Sequence, residues 1–368
     1  MTQSPTLNFD RTLAVPMPYF HYGYRSRPGD IVELGDGRLL MAYKASEHSS
    51  GNLPPGAEGP GENVGIGGRY SDDGGRTWGK EFILLSDPPG QGYYVHPSFL
   101  RLPDGDLLLS YIYSAQTEPY YGHNYYRRSA DDGATWSDQF ILTPQGGYVI
   151  MHNAKLRQLR DGRILAPAEY KKHRPSEADH RDYAAIVFYS DTNGHSWTAS
   201  SNDIDMLPHE CQEPHVVELR DGQLLLMFRT YSGWVGRAWS SDRGETWSAG
   251  EKVEELAMSK RSSAITVDRI PSTGDLLLIR CSGEGGAEGK YRTPMVSAIS
   301  RDEGRTWTDE RIIEGDDDGD FGYQSVLFLG EGDAEVVVLS YHARDGIRTA
   351  RIPVPSFYGS DSERTHAN

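Results

Sequence analysis

The chain has 368 residues, 37% of them hydrophobic, enough to bury a large core, and its 53 acidic against 37 basic residues give a formal charge of −16. That balance argues against nucleic acid or an anionic membrane as a general partner, so an anionic ligand would have to be held by positive charge gathered locally. Two cysteines, Cys211 and Cys281, make no disulfide framework, no Cys/His spacing suggests zinc, and no stretch reaches the ~18 apolar residues of a membrane span.

Met1 to His21 reads as a partly ordered N-terminal arm. It lacks a basic region followed by an apolar run, so a soluble, cytoplasmic protein is expected. Residues 22–358 read as a single domain and 359–368 as a flexible tail rich in Ser, Asp, Thr and Asn. Arg27 to Tyr43 reads as two strands, and Ser46 to Asn63 as a Gly/Pro/Glu-rich loop without regular structure. Further long connections are expected at 114–126, 173–182, 282–291 and 314–321. Long connections inside a compact repeat are usually functional or mobile.

The pattern Ser-x-Asp-x-Gly-x-Thr-Trp begins at Ser71 and returns at Ser129, Ser190, Ser240 and Ser300, with starts 58, 61, 50 and 60 residues apart. Only the third copy is degraded, with Thr192 for Asp and Ser196 for Thr. Each copy suits a hairpin turn: the Asp accepts turn N–H groups, the Gly takes a conformation a Cβ forbids, and the Trp packs beneath as a plug. These residues are scaffold.

A second repeat, out of phase with the first, places a Gly turn before an apolar run at Gly37, Gly105, Gly162, Gly222, Gly274 and Gly332. Six units of short strands predict an all-β fold, a six-bladed β-propeller whose last blade is completed from both chain ends.

In a propeller the first strand of each blade starts near one mouth of the axis. Nine or ten residues before each Gly stand Arg27, His96, His152 with Asn153, Glu213 and Tyr323, and the apolar Ile265 in the fifth unit. Five of six equivalent positions thus hold residues able to bind or react, where a buried strand ordinarily carries Val, Ile or Leu. Seven residues beyond the Gly come Lys44, Glu169, Arg229 and Cys281, and Arg292 heads the strand entering the last motif. Arg27, Arg229 and Arg292 at one mouth would form a cationic well that calls for an anion.

Five Asp-box motifs on a six-unit β repeat resemble the sialidase (neuraminidase) superfamily, and the resemblance runs from about Arg25 to Tyr341. It implies an arginine triad for a substrate carboxylate at Arg27, Arg229 in Met-Phe-Arg-Thr, and Arg292. It also implies a tyrosine nucleophile at Tyr323 in Tyr323-Gln324-Ser325, activated by Glu213, with Glu210 as a second candidate for that glutamate. The family's acid/base is an Asp on the loop after the first Arg; the window Glu47 to Asn52 has none, and Glu47 is among the nearest carboxylic acids. Tyr341-His342 stands where a carboxylate usually braces the first Arg, and Arg27 lies in Arg27-Pro28-Gly29 where the family has Arg-Ile-Pro.

The resemblance implies an exo-acting glycoside hydrolase removing a terminal carboxylate-bearing sugar from an acidic glycan, without metal or organic cofactor. His96, His152, Asn153 and Lys44 are expected to help bind the sugar. Two other readings use the same scaffold: a lyase acting on uronates with Tyr and His, and a glycan-binding protein without turnover.

Overall fold

The computed structural model describes residues 4–17, 27–47, 49, 62–115, 122–145, 147–171, 183–206, 209–258, 265–283, 292–315 and 319–359. Most of the loop expected at 46–63, parts of those at 114–126, 173–182, 282–291 and 314–321, and nearly all of the tail lie outside the described residues.

The described chain is all-β apart from two single-turn 3-10 helices. Four four-stranded sheets cover residues 30–86, 212–257, 266–314 and 322–353, the last of these joined by Asp10–Pro16. A nine-stranded sheet holds two more four-stranded units, 92–141 and 157–199. The short strand Tyr148–Ile150 fuses them, running parallel to Gly122–Ser129 and antiparallel to Ile164–Lys171. The Gly turns of the second sequence repeat sit between the first and second strands of each unit. The N-terminal strand pairs antiparallel with Gly346–Pro353, so the sixth unit draws on both ends of the chain.

Alternating apolar residues on two-faced strands must be buried against another sheet, and each unit here has a partner on both sides. Six apolar clusters lie between successive units: Leu40 with Leu109, Leu108 with Ile164, Leu165 with Leu224, Leu225 with Leu278, and Ile279 with Leu339 mark the first five. The last joins the sixth unit to the first, through Val338 and Leu39.

The eight-residue motifs fasten these joints. In all five copies the Gly N–H donates to the Ser Oγ four residues back. In the four intact copies the Asp carboxylate accepts both the N–H and the hydroxyl of the Thr four residues on. In the degraded copy Thr192 Oγ1 takes over, accepting Ser196 N–H at 2.9 Å. The Trp goes further than plugging its own hairpin. Trp78, Trp136, Trp197, Trp247 and Trp307 each pack in the apolar cluster shared with the preceding unit.

The motif Gly is pressed onto that neighbour as well. Gly304 has φ +80°, and a Cβ there would lie 2.3 Å from Cδ2 of Leu225 in the unit before. Gly304→Ala is therefore expected to destabilise the fold by roughly 1–3 kcal/mol, from backbone strain and displacement of Leu225. A lower denaturation midpoint at unchanged slope would report it.

The first strands of the units also meet one another. Asp30 of the first unit accepts Phe99 N–H of the second and the Ser325 hydroxyl of the sixth. Ser98 Oγ accepts Lys155 N–H, His215 Nδ1 accepts Val267 N–H, and Thr266 Oγ1 donates to the Gln324 carbonyl. This polar ring brings the starts of distant strands to one place.

Candidate functional site

Three of the residues brought there share an unusual backbone. His96, Glu213 and Tyr323 have φ of 55°, 50° and 53°. Each stands in a β-bulge, where the register slips between Val95 and Ser98, Gln212 and His215, and Gly322 and Ser325. A non-glycine residue in this region costs on the order of 1–3 kcal/mol, and a bulge re-aims a side chain out of the ladder. Three equivalent strands bear that cost, and the three side chains meet in one buried cluster, His96 against the Tyr323 ring and Glu213 on its hydroxyl. For two of them the sequence carries a signal: Pro97 and Pro214 follow directly, and proline cannot donate to a central ladder.

Tyr323 Oη donates to Glu213 Oε1 at 3.0 Å, and Arg229 Nη1 donates to the same oxygen, also at 3.0 Å. The Arg292 guanidinium lies over the Tyr323 ring, 5.1 Å from its centroid. Arg229 lies over the Tyr231 ring at 4.8 Å. His96 and His152 stand 5.2 Å and 5.8 Å from the Tyr323 ring and 4.5 Å from each other, centroid to centroid. Tyr323, Glu213, Arg229, Arg292, His96 and His152 are buried, whereas Tyr231 is exposed.

Electrostatics follow from burial beside charge. Burial alone would push the Glu213 carboxyl up, but the neighbouring Arg229 guanidinium overcomes this and holds it well below the usual carboxylate range. Burial, and then the charge of Glu213, push the Tyr323 phenol up, against the opposing pull of Arg292 and Arg229. The pair is thus a carboxylate accepting from a neutral phenol. Burial also drives His96 well below its ordinary value. Nε of Arg229 and both Nε and Nη1 of Arg292 have no hydrogen-bond acceptor among the described residues. Asp320 is the carboxylate beside Arg292, at 4.0 Å, and it lies at the same distance from His342. The residue standing where the first Arg is ordinarily braced thus faces the third Arg through Asp320.

Arg27 and Lys44 make a neighbouring pair. Arg27 is buried and its Nη1 donates to the Lys44 carbonyl, while Lys44 N–H donates back to the Arg27 carbonyl at 3.0 Å. Lys44 Nζ lies 3.9 Å above the Tyr93 ring, and burial followed by the charge of Arg27 brings its ammonium down to about 7. Its charge acts on His96, which links this pair to the pocket.

Two expected participants stand differently. Asn153 donates through Nδ2 to the carbonyls of Gly29 at 2.9 Å and Tyr323 at 3.1 Å, tying three units together. Glu47 is exposed, and its carboxylate accepts Glu62 N–H; among the described residues no contact joins it to Tyr323 or Glu213. Of the two candidate glutamates, Glu213 touches the tyrosine, and Glu210 is buried three residues earlier.

One residue of the site was passed over as a participant in the sequence. Glu169, buried in the second strand of the third unit, accepts Glu213 N–H through Oε2 at 2.6 Å, and its Oε1 lies 3.4 Å from His152 Nε2. Its signal was positional: it occupies in its unit the place that Lys44 and Arg229 hold in theirs.

A profile of the BNR repeat-like domain matches residues 37–336. The chain belongs to that family, within the sialidase-like BNR superfamily. Over 358 aligned residues it is 27% identical to a sialidase of Micromonospora viridifaciens, covering 86% of this chain and 49% of that protein. The chain spans about half the length of the curated sialidases it matches. Among solved structures, a protein of unknown function from Dyadobacter fermentans DSM 18053 superposes with a TM-score of 0.70 at 18% identity, covering 93% of this chain and 99% of that one. The Hadza microbial sialidase Hz136 superposes at 0.67 with 20% identity, covering 90% of this chain and 66% of that one. At such identities these two likenesses speak for the fold.

Proposed function

We propose that this member of the family is a six-bladed β-propeller glycoside hydrolase of sialidase type, acting on a terminal carboxylate-bearing sugar of an acidic glycan. The closed run of six apolar joints supports the propeller, with the five Asp-boxes riveting five of them. The observation that carries the activity is one oxygen, Glu213 Oε1, shared between the Tyr323 hydroxyl and the Arg229 guanidinium among buried side chains.

In this reading Arg292 and Arg229, joined by Arg27, hold the sugar carboxylate, which supplies an acceptor to the unpartnered N–H groups of Arg292 and Arg229. An anomeric centre carrying a carboxylate repels an anionic nucleophile, whereas a neutral phenol meets no such repulsion. As the Tyr323 oxygen bonds to the anomeric carbon, its proton passes to Glu213 and the two guanidinium groups stabilise the developing phenolate. Water then releases the sugar and the phenol recovers its proton.

Aryl glycosides of sialic acid, related nonulosonic acids and uronic acids, each paired with an analogue lacking the carboxylate, test this. The acidic member of one pair should be turned over and its neutral counterpart should not. Arg292→Ala should raise KM for that substrate by about 10- to 100-fold, the loss of one to two charge-assisted hydrogen bonds. Equal turnover of the neutral analogue would remove the role given to the arginines.

The two imidazoles against Tyr323 favour one other reading, a lyase on a uronate, in which His or Tyr removes the C5 proton. A new ultraviolet absorbance from an unsaturated product would select it.

A further inference from the structure

Hydrolysis needs a proton for the departing oxygen, and the loop carboxyl expected to give it, Glu47, is exposed and held to the Glu62 backbone. Resting on the hydrolase reading, we infer that His152 protonates the leaving group, and that Glu169 positions both His152 and the proton acceptor Glu213.

The geometry carries this in three steps. First, the bulge at Glu213 takes its N–H out of the β-ladder, and a buried N–H needs an acceptor. Glu169 Oε2 is that acceptor at 2.6 Å, so the carboxylate stabilises the left-handed backbone that aims Glu213 at Tyr323. Second, the other oxygen of Glu169 lies 3.4 Å from His152 Nε2, a long contact of the kind that tightens when substrate excludes water. A carboxylate at one ring nitrogen fixes the ring's orientation. The other nitrogen, Nδ1, is buried and has no hydrogen-bond partner among the described residues. Third, the His152 ring lies 5.8 Å from the Tyr323 ring and nearly parallel to it, at 17°. The imidazole therefore stacks on the ring whose hydroxyl would attack.

The charged and titratable groups facing His152 come from four elements: Glu169, Glu213, Tyr323 and His96. Of these, Glu169 and Glu213 are carboxylates, and His96 is driven well below its ordinary value by burial.

The proton inventory closes. As Tyr323 attacks, the bond from the anomeric carbon to the leaving oxygen breaks, the Tyr323 proton moves to Glu213, and His152 Nδ1–H passes its proton to that oxygen. Neutral His152 then takes a proton from the attacking water, the bond between tyrosine oxygen and sugar breaks, and Glu213 returns its proton to the phenolate. The sum is hydrolysis, with every group restored.

The experiment compares two acidic glycosides of the same sugar, one with a 4-nitrophenolate leaving group and one with a sugar alcohol leaving group, in His152→Ala, Glu169→Gln, Glu47→Gln and wild type. Activated 4-nitrophenolate departs without a proton. His152→Ala should therefore lose on the order of 10²- to 10⁴-fold in kcat on the alcohol and under about 10-fold on the nitrophenyl substrate. Glu169→Gln should lose kcat on the alcohol substrate more than on the nitrophenyl substrate, because the ring that gives the proton is no longer held. Equal losses on both substrates for His152→Ala, or a leaving-group-dependent loss in Glu47→Gln instead, would overturn the assignment. Wild type inert towards every acidic glycoside would sink the hydrolase reading itself, a distinguishable result.

Discussion

Tyr323→Phe is expected to lower kcat on the acidic substrate by roughly three orders of magnitude or more while leaving the fold intact. Phenylalanine keeps the ring that packs between His96, His152 and Arg292 and removes only the hydroxyl that Glu213 accepts. Substrate binding should survive, because Arg292 and Arg229 keep their positions, so KM should change far less than kcat. The hydroxyl is also the sole atom in this pocket proposed to bond to the sugar, which is why no other single change should separate binding from turnover so cleanly. Kinetics alongside a thermal melt decide it. A variant retaining a tenth of the wild-type kcat would leave Tyr323 as a packing residue, and binding by a wild type without turnover would favour the glycan-binding alternative.

Arg229→Met should have the largest effect on stability. Arg229 and Glu213 are both buried, and removing one partner leaves an uncompensated charge, which costs about 3–5 kcal/mol. The pH dependence has a definite sign. In the native protein the Glu213 carboxyl is held below its ordinary value, so its contribution is present above the unfolded-state value and is lost as pH falls through the folded one. Without Arg229 the burial effect, the largest influence on this group, drives the carboxyl upward instead. The variant then gains relative stability as pH falls and the buried carboxylate is neutralised. The difference between wild type and variant should accordingly be largest near pH 7 and shrink at about pH 4 and below. Urea denaturation at the two pH values measures both, and a difference that is small and independent of pH would mean the pair is solvated rather than buried.

How far the site was legible depended on how local its causes were. Arg229, Glu213 and Tyr323 stand out because a reactive or charged residue at a first- or second-strand position contradicts the apolar habit of buried strands, whereas Arg292 stands out at the head of the strand entering the last motif. Counting from each Gly turn puts Glu213 level with Tyr323, and Arg229 level with Lys44 and Glu169. His96 and His152 followed from the same count, and both reached the tyrosine. Asn153 followed too, yet its amide serves main-chain carbonyls of two other units, and no count along one chain foretells that choice. Glu47 lies in a loop, and loop positions are not tied to the strand register that groups His96, Glu213 and Tyr323. Glu169 was seen at its position, but its task depends on a bulge 44 residues away releasing one N–H.

The strand-and-turn alternation, the five Ser-x-Asp-x-Gly-x-Thr-Trp turns and the six Gly turns were written in local chemistry: side chains hydrogen-bonding to their own backbone, glycines at left-handed positions, and apolar runs of strand length. These interactions span at most a few residues, so a one-dimensional reading is sufficient. The fusion of the second and third units by Tyr148–Ile150, the packing of each Trp onto the preceding unit, the bulges aiming His96, Glu213 and Tyr323 inward, and the sharing of Glu213 Oε1 by a phenol and a guanidinium emerged only in three dimensions. Each rests on partners beyond the reach of a turn, as Arg229 lies 16 residues and Tyr323 110 residues from Glu213, and burial, which sets the strength and sign of those charges, exists only once the sheets have packed on one another.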